Sequence, residues 1–129
     1  MKVLLVDDSS IVRERLIAML FEVSRIETVS QAKDQFEALG LLKRTDPEVV
    51  ILDIEMPGGS GIDLLRYLKK RQRPPLAIVL TNLSDPQYRK KCKDAGADFF
   101  FDKSSEFDNV AEVLNQPGVA NSRTLNSMA

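Results

Sequence analysis

Two adjacent carboxylates, Asp7 and Asp8, follow a run of four apolar residues near the start of the chain. Each carboxylate makes its neighbour harder to ionise, so a positive group is expected close to them. Asp53 and Thr81 follow two later apolar runs, and Lys103 comes shortly after another. If these side chains converge, an ammonium group and a divalent cation would offset the three carboxylates. Mg²⁺ takes such oxygen ligands, and Mn²⁺ is also possible.

Such a cluster could accept a phosphoryl group. An aspartate can attack phosphorus and form an acyl phosphate when a cation and a lysine neutralise the transferring oxygens. Asp53 is the expected nucleophile, and Asp7 and Asp8 would hold the cation. Lys103 would pair with one phosphoryl oxygen, and the Thr81 hydroxyl would hydrogen-bond another. Because the new group would draw Thr81 toward it, the site could also act as a switch.

Simpler interpretations exist for some of these residues. Taken alone, Asp7 and Asp8 fit a helix cap better than a metal site, and it is Asp53 and Lys103 that favour the cation. The stretch Gly58-Gly59-Ser60-Gly61 could cradle a phosphate, but it lacks the lysine-serine ending of a P-loop. It is interpreted as a flexible turn into a helix.

The elements that must position these residues alternate along the chain. Five apolar runs separated by segments of helical spacing are typical of a parallel sheet covered on both faces, which binds ligands at the carboxyl ends of its strands. The predicted strands are Lys2 to Val6, Ile26 to Ala32, Val49 to Leu52, Ala77 to Leu80 and Phe99 to Phe101. The side chains expected to face the core from the intervening segments are Val12, Leu16, Met19 or Leu20, Val23, Phe36, Leu39, Leu42, Ile62, Leu65, Leu68, Tyr88, Cys92, Ala95, Phe107, Val110, Ala111 and Leu114.

Composition excludes several function classes. The 129 residues match one domain and include no histidine and a single cysteine, which excludes the common zinc sites, a Ser-His-Asp triad and an internal disulfide. A net charge of -1 and a pI near 5.5 argue against nucleic-acid binding. The apolar runs are too short for a secretory signal or a membrane span, so a cytoplasmic location without a membrane partner is expected.

Five motifs stand in order along residues 1–115. They are Val6-Asp7-Asp8, Leu52-Asp53-Ile54-Glu55-Met56-Pro57, Gly61, Leu80-Thr81, and Phe100 three residues before Lys103. In this order they resemble the receiver domain of two-component response regulators. The resemblance implies a flavodoxin-like (βα)5 fold with helices on both faces of a five-stranded parallel sheet, in the strand order 2-1-3-4-5.

The resemblance also implies roles for the site residues. Asp53 would be phosphorylated from a phosphohistidine on a sensor histidine kinase or a histidine phosphotransfer protein. Mg²⁺ would be bound by Asp8, Asp53 and the backbone carbonyl of Glu55, with Asp7 partly behind water. Thr81 and Phe100 would couple phosphorylation to the face formed by the fourth helix, the fifth strand and the fifth helix, which would meet a downstream target.

Three positions are expected to modulate the reaction, namely Glu55, Asn82 and Leu83. Receivers usually carry a very small residue where this chain has Asn82, which could narrow the approach to Asp53 or add a hydrogen bond. They usually carry proline, often after a cis bond, where this chain has Ser104. A cis bond before serine would cost roughly 3 kcal/mol, so the loop after Lys103 is expected to take another path. Asp102 should point away from the site into solvent.

The resulting prediction is a stand-alone receiver over residues 1–115 with a flexible tail over 116–129. It would catalyse only its own phosphorylation and dephosphorylation, and would be a monomer or a weak dimer on phosphorylation. A small magnesium-dependent phosphohydrolase working through an aspartyl phosphate is the alternative, although adjacent Asp7 and Asp8 fit it less well than an Asp-x-Asp pattern would. A receiver-like protein that binds partners without being phosphorylated is the third possibility.

Overall fold

The computed structural model describes residues 1–56 and 59–119. Seven strands and five helices follow one another along this part of the chain. Their bounds are β1 Lys2–Val6, α1 Ser10–Leu20, β2 Thr28–Ala32, α2 Gln35–Thr45, β3 Val49–Leu52, β4 Glu55–Met56, β5 Gly59–Ser60, α3 Gly61–Lys69, β6 Leu76–Thr81, α4 Pro86–Asp94, β7 Phe99–Asp102 and α5 Asn109–Asn115.

Five of the strands form one parallel sheet in the order β2-β1-β3-β6-β7. This confirms the predicted flavodoxin-like α/β class. The detail that differs is a two-stranded antiparallel hairpin, β4 with β5, inserted between β3 and α3. The hairpin was not predicted, and because of it the last two strands of the predicted order are the sixth and seventh of the chain.

The sheet buries both of its faces. Along β1 and β3, successive side chains belong alternately to two separate apolar clusters, as the two-residue period of a strand requires. Helices α2, α3 and α4 supply one cluster, whereas α1 and α5 supply the other. The central strands therefore have almost no polar side chains until they reach their carboxyl ends, and this concentrates the chemistry of the chain at that edge.

Helix starts follow ordinary capping chemistry. Ser9, Asp34 and Ser60 each accept a hydrogen bond from a backbone N–H in the first turn of α1, α2 and α3 respectively. At the other end of α2, Asp46 adopts a left-handed conformation with φ of 44°, and Pro47 follows it. The expected cap at Ser9 or Ser10 is thus Ser9, and α2 ends before Asp46 as expected.

Phe36 corrects one prediction. It was expected to face the core, but it is 86% exposed, and Ala38 and Leu42 are the fully buried positions of α2. Phe36 lies two residues before Ala38, which places it roughly 200° away around the helix. Most other expected core positions are buried or pack against the core, although Val23 and Phe107 do so from outside the helices.

Helix α4 is the least deeply packed of the long helices. Its sequence is strongly polar, and Cys92 is its single fully buried residue, in contrast to the four buried residues of α3. Burial raises the pKa of the Cys92 thiol to about 11, so this cysteine stays protonated at neutral pH.

Parts of two predictions lie outside the described residues. They are Gly58 of the expected flexible turn and residues 120–129 of the expected tail, and Pro57 at the end of the second motif also lies outside them. At the start of that tail, the Arg25 guanidinium donates to the carbonyl oxygens of Leu114 and Gln116, at 3.0 and 2.6 Å. Within residues 1–56 and 59–119, no helix is long and apolar enough to cross a membrane.

Candidate functional site

The carboxyl ends of the strands bring Asp7, Asp53 and Lys103 together. Asp7 follows β1 and Asp53 follows β3, and both remain in the sheet ladder, because the Asp53 N–H donates to the carbonyl of Val6 at 3.0 Å. The Lys103 ammonium lies 2.8 Å from Asp7 Oδ2 and 2.7 Å from Asp53 Oδ2. Asp7 and Asp53 lie 46 positions apart in the sequence. The Lys103 ammonium, from just after β7, thus bridges them.

Each bridged carboxylate is also held by its own backbone. Asp7 Oδ1 accepts a hydrogen bond from the Ser9 N–H at 2.9 Å, and Asp53 Oδ1 accepts one from the Glu55 N–H, also at 2.9 Å. In both residues one oxygen is tied to the chain two residues on, and the other faces Lys103. The rotamers of both carboxylates are therefore fixed before any ligand arrives.

Asp8 completes an oxygen cluster. One carboxylate oxygen from each of Asp7, Asp8 and Asp53 lies within 4.8 Å of the other two, and Asp8 is exposed whereas the other two are buried. Three carboxylates against the single Lys103 ammonium leave two negative charges. Hard oxygen donors with that residual charge fit a divalent cation such as Mg²⁺ or Mn²⁺.

Burial and the contacts within the bridge have opposite effects on the charges of Asp7 and Lys103. Loss of hydration raises the pKa of Asp7 above its usual value, and the Lys103 contact only partly offsets this effect. Burial also opposes the charge on Lys103, but its hydrogen bonds to Asp53 and Asp7 together outweigh that cost and raise its pKa. Lys103 therefore remains a cation at neutral pH.

Gly61 allows the chain after Asp53 to fold back tightly. The Gly61 N–H donates to the Ile54 carbonyl at 3.1 Å. A Cβ at this position would lie 2.4 Å from the backbone oxygen of Asp53 and 2.5 Å from the Ile54 Cα. No side chain fits at that distance, so glycine is needed where α3 begins.

Thr81 and its two successors lie on the same edge. Thr81 is fully buried at the end of β6, and its backbone oxygen accepts from the Lys103 N–H at 2.8 Å. Its hydroxyl oxygen accepts from the Leu83 N–H at 3.2 Å, and Leu83 packs against the cluster of α2, α3 and α4. The exposed Asn82 accepts through Oδ1 from the Ser104 hydroxyl at 3.3 Å.

Phe100 and Glu55 lie further out. The half-buried Phe100 packs against the α2–α4 side of the sheet, and the Arg89 guanidinium covers its ring at 4.7 Å from the centroid. This contact between α4 and β7 has the geometry of a cation–π interaction. Glu55 is exposed at the start of the hairpin, and its backbone N–H contacts Asp53.

The burial and the hydrogen bonds of Asp102 were not predicted from the sequence. Asp102 contributes no carboxylate oxygen to the Lys103 bridge, as expected, but it is half-buried rather than freely solvated. It bonds to Ser84, Ser104 and Ser105. The described residues contain no cis peptide bond, so the Lys103–Ser104 bond is trans. Asp102 followed by serines two and three positions later is a turn signal that could have revealed the contacts with Ser104 and Ser105.

Comparisons with known proteins agree on one family. The family model described as the response regulator receiver domain matches residues 3–115. The DNA-binding transcriptional activator EvgA of Escherichia coli strain K12 is 29% identical over 114 residues, which cover 88% of this chain and 55% of EvgA. Protein-glutamate methylesterase/protein-glutamine glutaminase 1 of Caulobacter vibrioides is 44% identical over 80 residues, 62% of this chain and 23% of that protein.

A solved structure shows the same likeness in three dimensions. The receiver domain of the Francisella response regulator 1452 is 28% identical, with a TM-score of 0.79, and the match covers 95% of this chain and 98% of that one. By contrast, the chain spans about half the length of EvgA and under a quarter of the methylesterase. The likeness therefore concerns one domain of those longer proteins.

Proposed function

The chain belongs to the response regulator receiver domain family, and on this premise we propose that it is a switch controlled by phosphorylation of Asp53. The observation that carries the proposal is the Lys103 ammonium, which contacts Asp7 and Asp53 at 2.8 and 2.7 Å. It orients the Asp53 carboxylate at the edge of the sheet where the parallel strands end. A correctly oriented carboxylate oxygen is what nucleophilic attack on phosphorus requires.

In the proposed reaction an Asp53 carboxylate oxygen attacks the phosphorus of the donor. A new O–P bond forms as the bond from phosphorus to the leaving group breaks, and that group departs with the electron pair. The Lys103 ammonium pairs with one oxygen of the phosphoryl group that is transferred, and the Thr81 hydroxyl donates a hydrogen bond to another. A divalent cation held by Asp7, Asp8, Asp53 and the Glu55 carbonyl would neutralise the remaining charge on the phosphoryl oxygens.

The donor is proposed to be a phosphohistidine of a sensor histidine kinase or a histidine phosphotransfer protein. The chain has no histidine, so this group has to come from another molecule. We place the proteins that carry out this exchange, and this chain, in the cytoplasm. The chain itself would catalyse only its own phosphorylation and dephosphorylation.

The output is proposed to pass through the face formed by α4, β7 and α5. Movement of the Thr81 hydroxyl toward a phosphoryl group would shift the β6–α4 loop, which Leu83 anchors in the core. Phe100 would then change its position under Arg89 and so alter the surface offered to a target protein. Asn82, Glu55 and Leu83 would set the rate, since they surround Thr81 and Asp53.

The proposal also covers the extent of the domain, its oligomeric state and its lack of nucleic-acid binding. We propose that residues 1–115 form a receiver domain that is a monomer or a weak dimer when phosphorylated, and that these 129 residues do not bind nucleic acid because their net charge is -1. EvgA carries DNA-binding in its name, but the match with this chain covers only 55% of EvgA.

The test is intact mass after incubation with acetyl phosphate and Mg²⁺. The parent should gain one phosphoryl group, and Asp53→Ala should gain none. Asp63→Ala is the matched control, because Asp63 is an exposed aspartate on α3 that pairs only with Arg66 among the described contacts, at 3.3 Å. Phosphorylation that persists in Asp53→Ala would move the nucleophile elsewhere. A parent that takes up no phosphoryl group would favour the receiver-like binding protein instead.

A further inference from the structure

We propose that Asp102 is a positioning residue whose carboxylate holds the Lys103 loop in place, and so sets where the Lys103 ammonium lies. The inference rests on the proposed function, because it concerns the lysine of the same site. Asp102 does not itself bond to Asp7, Asp53 or the Lys103 side chain. It acts through the backbone on which Lys103 is carried.

The first support is the turn that follows β7. Asp102 Oδ1 accepts hydrogen bonds from the Ser104 N–H at 2.8 Å and the Ser105 N–H at 3.0 Å. The Asp102 backbone oxygen accepts from the Glu106 N–H at 2.9 Å, and its own N–H donates to Glu106 Oε1 at 3.0 Å. Four hydrogen bonds therefore close the turn around Lys103, and two of them need the Asp102 carboxylate.

The second support is a link to the neighbouring loop. Ser84 Oγ donates to Asp102 Oδ2, so both oxygens of this carboxylate are used. The Arg89 guanidinium donates to the Ser84 carbonyl and to Glu106 Oε1, each at 3.1 Å. The hydrogen bond from Ser84, followed by those from the Ser105 and Ser104 N–H groups, lowers the pKa of Asp102, which keeps its carboxylate ionised. The Lys103 turn is thereby tied to the β6–α4 loop and to α4.

The third support is that few other contacts hold the Lys103 backbone on that side. Its N–H is held by the Thr81 carbonyl at 2.8 Å, which belongs to the sheet ladder before the turn. Beyond that point the chain leaves the sheet, and the other contacts given for the turn are the two Glu106 hydrogen bonds and the Ser104 hydroxyl, which donates to the exposed Asn82. A lysine side chain has a long flexible stem, so the position of its ammonium depends on the backbone beneath it.

Loss of the carboxylate should have two effects of different sign. An ammonium displaced from Asp53 should slow phosphorylation, and we expect about tenfold for Asp102→Ala, equivalent to about 1.4 kcal/mol in the barrier. The same displacement removes positive charge from Asp7 and Asp53, so Mg²⁺ should bind roughly threefold more tightly. General damage to the site would instead weaken both properties.

Two further variants separate this role from a structural one. Asp102→Asn keeps an oxygen that can accept from the Ser104 and Ser105 N–H groups, so it should restore phosphorylation to within about threefold of the parent. Asp98→Ala is the matched control, because Asp98 lies at the other end of β7 and also accepts from a backbone N–H, that of Ala77 at 2.8 Å. It should lower the midpoint of thermal unfolding without changing the phosphorylation rate.

A double-mutant cycle with Lys103→Met shows whether Asp102 acts through Lys103. Mg²⁺ affinity is measured by calorimetry, because the chain has no tryptophan to report binding. We expect no effect of Asp102→Ala on Mg²⁺ affinity once Lys103 is replaced. The cycle does not need phosphorylation, so it can be read even if the parent accepts no phosphoryl group and the proposed function fails.

Three results would overturn the inference: an unchanged phosphorylation rate in Asp102→Ala where the parent is phosphorylated, an unchanged or lower Mg²⁺ affinity in that variant, or an undiminished effect on Mg²⁺ affinity in the Lys103→Met background. Should Asp102→Ala not fold, Asp102→Asn is tested in the same cycle. A loss of Mg²⁺ affinity in Asp102→Asn, or an effect of this variant on Mg²⁺ affinity that persists in Lys103→Met, would then be decisive against it.

Discussion

Replacement of Gly61 by alanine should displace the backbone that carries the proposed phosphoryl acceptor. The added Cβ would lie 2.4 Å from the Asp53 carbonyl oxygen, whereas an ordinary contact begins at 3.4 Å, so the two segments have to separate by about 1 Å. Strain of this kind in a packed region costs about 1–3 kcal/mol. For a domain of this size the midpoint of thermal unfolding should fall by roughly 4–12 °C.

The functional effect of Gly61→Ala should exceed its effect on stability. A shift of about 1 Å in a reacting group can cost roughly a hundredfold in rate. Phosphorylation by acetyl phosphate, followed by intact mass at a temperature where both proteins are folded, should therefore slow by ten- to a hundredfold. Measuring below the unfolding transition ensures that the lost rate reflects geometry.

Gly40→Ala is the control for this prediction. Gly40 lies within α2, and no atom is within 4 Å of where its Cβ would be. Alanine there should stabilise the helix by about 0.5–1 kcal/mol and leave phosphorylation unchanged. The reasoning is refuted if Gly61→Ala unfolds at the temperature of the parent and is phosphorylated at the same rate.

Three other predictions follow from the site. In calorimetric titrations Asp8→Asn should weaken Mg²⁺ binding more than Asp7→Asn, and equal losses of Mg²⁺ affinity would contradict this ranking. Asp7→Asn should instead lower the midpoint of thermal unfolding more, because of these two residues only Asp7 is buried against Lys103. Asn82→Ala should accelerate phosphorylation by roughly tenfold or less by opening the mouth of the site, with Ser104→Ala as its control, and a slower rate would mean that Asn82 assists the reaction. The pKa of Lys103 is raised in the folded state, so its charge should stabilise the fold fully below the usual pKa of 10.5, and this stabilisation should be lost as the pH rises through the raised pKa. In urea unfolding curves Lys103→Met should therefore lose less stability at alkaline pH than the parent.

The sequence predicted the strands most reliably where both faces of the sheet are buried. Strand β1 and strand β3 have the predicted bounds, because the uninterrupted apolar run of each ends at an aspartate, Asp7 and Asp53 respectively. Strand β2, at the edge, begins two residues later than predicted, since edge residues need not be apolar. The Asp7–Asp53–Lys103 cluster followed from the strand ends for the same reason.

The features that sequence reasoning missed depend on contacts between segments. The side of α2 that turns inward depends on how the helix packs, and Phe36 matches the apolar pattern without being needed in the core. The hairpin of β4 and β5 has only two residues in each strand, too short for a periodic signal. The link from Asp102 to Ser84 joins residues 18 positions apart, and no local pattern encodes their meeting.

The shallow packing of α4 has a consequence for where the fold can open. A helix that buries only Cys92 completely loses little apolar contact when it detaches, so its local opening should require less free energy than that of α3, which buries four residues. The contacts of Arg89 with Ser84, Glu106 and the Phe100 ring then form much of what holds its first turns to the sheet. Amide protons of α4 should exchange with solvent well before those of α3. The difference between the exchange rates of the two helices measures how little free energy a rearrangement of this region requires.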